Sequence, residues 1–182
     1  MKIKISSILC LFLFTGMLQA QSTDFSRFHF LLGKWKGAGK GFGNDHSTIT
    51  SGFTLMMDGR YLEVQNESRF EPTAKNPEGE HHLDRGIISF DKSRKTIVFR
   101  QFHSEGFVNQ YILNEALSSD SVLVFETESI ENFIPGGRAR WTIKKISETE
   151  IETIFDLSLP NKGYTCYGTN LLRKEQALTP KK

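Results

Sequence analysis

From Lys34 onward, apolar and polar residues alternate in short runs separated by turn-forming residues. That period of two, rather than 3.6, predicts β-strands. Ten runs are legible, at 34–41, 47–57, 61–70, 84–91, 96–103, 106–117, 121–130, 138–146, 151–158 and 164–173. Asp58-Gly59 marks a tight turn between two of them, because both central residues of that turn type need positive φ. Asp91-Lys92-Ser93-Arg94 marks a longer one. Ahead of the strands, DFSRFHFLLG sets Phe25, Phe28 and Leu32 near helical spacing behind Asp24 as N-cap, which predicts one short helix.

Strands without crossover helices exclude a parallel sheet. Short connections between successive pairs favour a closed up-and-down barrel over a Greek-key sandwich, which needs a long return. The expected fold is therefore all-β, an antiparallel barrel of about ten strands. EPTAKNPEGEHHL is the one long connection, a stretch suited to a lid over the barrel mouth.

The N-terminal MKIKISSILCLFLFTGMLQAQS reads as a secretory signal peptide over 1–20, with Lys2 and Lys4 before an apolar run too short to span a bilayer. The expected organisation is then one barrel domain over 23–174 and a tail over 175–182, exported to the periplasm or beyond, without stable membrane insertion. Removing the signal takes two of the 23 Lys+Arg and none of the 21 Asp+Glu, so the mature chain is formally neutral. Nucleic acid is a poor partner for a chain without a basic stripe. Cys10 leaves with the signal, so Cys166 has no disulfide partner and reads as a small buried hydrophobe.

The densest chemistry lies in FRQFHSEGFVNQY, 99–111, where aromatic rings are interleaved with acid, base and amide groups. Alternation from Ile97 puts Phe99, Gln101 and His103 on one face and Arg100 and Phe102 on the other. A ligand pocket in a small barrel is mostly apolar with a few fixed polar groups. Phe99, Phe102, Phe107, Tyr111 and Trp141 are accordingly expected to line or close a pocket, with Arg100, Gln101, His103 and Arg140 orienting the ligand. The same polar residues also suit a hairpin tip that faces water. An inward Arg140 would need carboxylates such as Glu126 and Glu128. His81 and His82, with Glu80 and Asp84, have the chemistry of a zinc site, but adjacent residues on an extended chain point opposite ways, and no metal centre is expected. His29, among Phe28, Phe30 and Leu31, reads as a packing residue. No nucleophile elbow, P-loop or dinucleotide fingerprint is present, and no catalytic residue is assigned.

LLGKWKGAGKG joins the helix to the first strand through a Gly-x-Trp-x-Gly arrangement: Gly33 for the bend, Trp35 as an end plug, Gly37 for close backbone approach. With the short helix, the strand meander and the chain length, this motif resembles the opening of the nitrobindin family of calycin-like, haem-binding barrels. The resemblance extends through FDKSRKTIVFRQFHSEGFVNQY and FETESIENF to the last strand. It implies a small hydrophobic ligand, typically haem b, in an open barrel end, and in some members nitric oxide binding or peroxynitrite isomerisation. It also implies an iron-ligating His on the last strands, where this chain has GYTCYGTNLLRK without one; His103 is the substitute, with Tyr164, Tyr167 or Cys166 behind it. Three functions follow as expectations: an exported barrel binding a small hydrophobic or amphipathic molecule, a haem protein sensing or acting on nitrogen oxides, and a filled barrel serving as an interaction module.

Overall fold

A computed structural model describes residues 25–41, 46–74 and 76–176. Residues 1–24, where the signal peptide is expected and which include Asp24, and the end of the tail lie outside them. Within them the chain forms a short 3₁₀ helix, Ser26–Leu31, and ten strands: β1 Gly33–Gly41, β2 His46–Met56, β3 Tyr61–Phe70, β4 Glu80–Asp91, β5 Thr96–His103, β6 Val108–Leu113, β7 Val122–Glu131, β8 Arg138–Ser147, β9 Glu150–Ser158 and β10 Thr165–Lys174. Each strand pairs antiparallel with its neighbours in sequence, and β10 returns to β1 to close the barrel. No edge strand is left for aggregation.

The sequence places eight of the ten strands within about two residues of their observed ends. The exceptions matter. β4 starts at Glu80 rather than 84, so EHHL belongs to the sheet and the long connection shrinks to 71–79. β6 stops at Leu113 instead of 117 because Asn114 turns the chain, accepting the amide of Leu117 on its Oδ1 and donating to Glu126. At 57–60, Met57, Asp58 and Gly59 all adopt positive φ, so the turn takes one more left-handed residue than Asp58-Gly59 requires, and Met57 is exposed.

One barrel end is packed solid. The helix lies across it, burying Phe25, Phe28 and Leu31, and the indole N–H of Trp35 donates to the Leu31 carbonyl at 2.6 Å. Above this plug, Phe99, Phe125 and Trp141 meet with ring centroids 5.4 to 6.1 Å apart, and Tyr111 stacks on Phe99 at 5.5 Å. Such aromatic pairs add about 0.5–1.5 kcal/mol each beyond burial. Inward-facing glycines let this end curl tightly. A Cβ on Gly37 would collide with the Leu171 backbone, and one on Gly86 with the Phe99 ring and the Arg100 carbonyl.

Candidate functional site

Above the aromatic floor the same strands stop filling the interior. A cavity of about 1120 Å³ opens at the end bounded by the β3–β4, β5–β6, β7–β8 and β9–β10 connections. That volume is slightly above the roughly 300–1,000 Å³ typical of small-molecule sites, as suits a cavity open at its mouth. Its walls differ. Strands β2 to β6 contribute mainly polar groups, among them Ser51, Asn66, Asp84, Gln101, His103 and Asn109. Strands β7 to β9 contribute Ile130, Ala139, Trp141, Phe155 and Leu157, with Phe133 beyond β7.

The polar wall is held by cross-strand bonds. Asp84 and His103 are register partners on β4 and β5, with Asp84 Oδ1 2.6 Å from His103 Nδ1. On the other side of the ring, Asn109 Nδ2 donates to His103 Nε2 at 2.9 Å and to the Tyr111 hydroxyl at 2.9 Å. An amide N–H only donates, so in this arrangement Nε2 is the accepting nitrogen and Nδ1 is the one facing Asp84. Burial pushes the Tyr111 phenol far above its ordinary range, so it stays neutral, with Asn109 opposing the shift. Ser51 donates to Asn66 at 2.8 Å, and Asn170 to Thr153 at 3.0 Å.

Gln101 is different. It is only 5% exposed and lines the cavity, yet among the described residues nothing hydrogen-bonds its side-chain amide. The residue is buried in the wall while its amide opens to the cavity, where water or a ligand can satisfy it.

At the rim, Glu105 in the β5–β6 turn contacts His82 Nδ1, while His82 Nε2 lies 3.0 Å from Glu80. Burial alone would lower the His82 pKa, but its bonds to Glu105 and Glu80 raise it above the ordinary imidazole value. Burial opposes ionisation of Glu105, but the His82 bond and charge, its own backbone amide and the Ser104 hydroxyl together outweigh it and lower that pKa. The turn is fixed on both sides. Ser104 exchanges bonds with the Leu83 backbone at 2.9 and 3.1 Å, and Asn132 donates to the Gly106 carbonyl at 2.8 Å. Asp84, His103 and Glu105 bring one ligand atom each to within 4.8 Å of one another.

The structure divides the residues expected at a pocket. Gln101, His103, Phe107 and Trp141 line the cavity. Phe99 and Tyr111 are fully buried beneath it and form part of its floor packing rather than its lining. Arg100 and Phe102 point outward and are exposed, because strict alternation on β5 sends them opposite to His103. Arg140 is also outside: it bonds Asp156 at 3.0 Å, not Glu126 or Glu128, and lies 4.4 Å from the Tyr164 ring centroid. Glu128 instead pairs with Arg94. Gly33, with φ of 114°, makes the bend into β1, and Trp35 is part of the plug. His29 and Cys166 are exposed rather than packed inside. His81 points outward to Glu67, while His82, one residue on, points into the mouth.

These positions also test a haem iron. The residues of β10 that line the cavity are Tyr167, Gly168 and Asn170, with no imidazole among them, and His103 stands across the lumen at the mouth beside Asp84 and Glu105. The His-ligated haem set that the resemblance implies on the last strands is therefore not present on β10. Ser51, Asn66 and Asn170 carry no signal in the sequence, since a small polar residue on a strand suits either face until register is known.

One solved structure shares the architecture, and two others show a weaker likeness. Rv2717c from M. tuberculosis superposes with a TM-score of 0.58 at 15% identity, over 82% of this chain and 98% of that one. A de novo fluorescence-activating β-barrel and EF1p2_mFAP2b bound to DFHBI give TM-scores of 0.42 and 0.43 at 13% and 10% identity, each over 81% of this chain and 95% of its own. No protein-family model matches the sequence, and no curated protein matches it. The likeness to Rv2717c supports the closed antiparallel barrel, at an identity that speaks to fold alone.

Proposed function

We propose that this protein binds a small, flat amphipathic molecule in the open end of its barrel. The observation that carries the reading is the two-faced cavity: an aromatic and aliphatic wall opposite a polar one that includes the unpartnered Gln101 amide. The apolar wall would supply most of the affinity and the polar wall the orientation. Glu71, Glu80, Asp84 and Glu105 line the cavity with Lys40 as the lysine among its lining residues, which favours neutral or cationic ligands over anions. Export rests on the N-terminal sequence and is part of the proposal. N-terminal sequencing of the secreted form, with Gln21 expected first, checks it.

Nile red, a neutral flat dye, is the probe. One saturable site is expected. Ser51→Phe, which fills the cavity from β2, weakens it by about tenfold or more, a loss of roughly 1.4 kcal/mol, while Arg100→Ala on the outer face leaves it unchanged. Absence of saturable binding, or equal binding by Ser51→Phe, would overturn the reading. The nitrobindin-like alternative predicts a haemin Soret band that depends on His103. Because β10 brings no imidazole to the cavity and His103 lies at the carboxylate-rich mouth rather than on the apolar wall, no such band is expected.

A further inference from the structure

Asp84, His103 and Glu105 meet at the cavity mouth with one ligand atom from each inside 4.8 Å. We propose that these three residues bind a divalent first-row transition-metal ion, with open coordination positions turned toward the cavity. Two carboxylates and an imidazole are the donor chemistry of zinc, iron or manganese, whereas magnesium and calcium favour oxygen ligands alone.

Three features of the structure support a built site. Asp84 and His103 are fixed as cross-strand partners, and Glu105 sits in a turn pinned to Leu83 through Ser104 and to Asn132 through Gly106. The groups that would stand behind the ligands are also in place. His82 hydrogen-bonds Glu105, and Asn109 holds the far nitrogen of His103, the arrangement that orients ligating side chains. With Nδ1 on the ion, Nε2 would carry the ring proton and the Asn109 amide would turn its oxygen to accept it. The excess of carboxylates at the rim attracts a cation.

The second, independent sign of a ligand is Gln101. It faces the same interior as His103, two residues along β5; the residue is only 5% exposed, and its amide, open to the cavity, has no protein partner among the described residues. From there it can hydrogen-bond a water or a ligand atom carried by the ion. The metal site does not rest on the organic ligand proposed above, and the two fail separately.

The test is titration of chelator-treated full protein with Co²⁺, read by its visible d–d absorbance, with Zn²⁺ as competitor. One equivalent is expected to bind, and Zn²⁺ to displace it. Glu105→Gln and Asp84→Asn each weaken binding by about tenfold or more, while His46→Ala, at the exposed rim, has no effect. Circular dichroism checks that each variant is folded, and Glu105→Gln, in an exposed turn, is the one least able to disturb the barrel. A missing saturable band, or wild-type Co²⁺ affinity in both carboxamide variants, overturns the site. Nile red titrated into the same metal-free samples keeps the cases apart: dye binding without Co²⁺ binding removes the metal alone, and Co²⁺ binding without dye binding leaves the metal site standing and removes the organic-ligand reading.

Discussion

The two ends of the barrel are built by the same ten strands and the same alternation, yet one is solid and the other hollow. At the closed end the inward positions hold Phe99, Phe125, Ile143, Ile151 and Leu172, which interdigitate under the helix and Trp35. At the open end the inward positions of β2, β3 and β10 are shorter and polar, such as Ser47, Ser51, Asn66 and Asn170, and leave the apolar wall of β7 to β9 facing open space. Alternation therefore determines which residues face inward, and side-chain size at those positions determines whether the interior is core or cavity. Packed core and open cavity are separated along the barrel axis.

Substitutions at the two ends should separate the same way. The largest effect is expected from Phe125→Ala, which empties space among Phe28, Phe99 and Trp141 and should cost about 3–5 kcal/mol in urea unfolding. If it costs no more than a cavity-wall substitution, the closed end is not the stabilising core. Trp35→Phe keeps most of the ring but loses the bond to the Leu31 carbonyl, and about 1 kcal/mol is expected by the same measurement.

Ser51→Ala loses the bond to Asn66 in a wall facing open space, so a cost of about 0.5–1.5 kcal/mol is expected, with any change in Nile red affinity measured beside it. A cost as large as that of Phe125→Ala would mean that the open end is packed after all. The smallest effect belongs to the Asp91 turn at the closed end. The Ser93 side chain and the Arg94 and Ser93 amides hold the Asp91 carboxyl below its ordinary value, so its contribution is present above the ordinary carboxylate range and is lost as the pH falls through the lowered value. Asp91→Ala should lower the thermal midpoint near neutral pH and converge with the parent in acid; a difference constant with pH would show that the carboxylate charge is not involved.

The barrel is legible in the sequence because alternation and turn residues are local signals and antiparallel neighbours need no long-range information. Part of the site is legible for the same reason. Alternation from Ile97 already places Gln101 and His103 together and opposite to Arg100 and Phe102. Assigning all four to a pocket follows their chemistry instead, and neither charge nor aromaticity determines a face. The remainder depends on register. Asp84 becomes His103's partner only through the β4–β5 pairing, and His82 reaches the mouth only because β4 begins at Glu80. The exterior Arg140–Asp156 pair likewise joins residues 16 apart that meet only when β8 lies beside β9.

Trp141 stands at the boundary between floor and cavity, whereas Trp35 belongs to the plug, and the chain has two tryptophans. In a Trp35→Phe background Trp141 becomes the single tryptophan reporter, and its fluorescence during a Nile red titration tests most directly whether the hollow end receives the ligand. Saturable quenching that follows the dye's own enhancement, and that Ser51→Phe suppresses, is the predicted result. Dye enhancement with Trp141 emission unchanged would place binding elsewhere and contradict it.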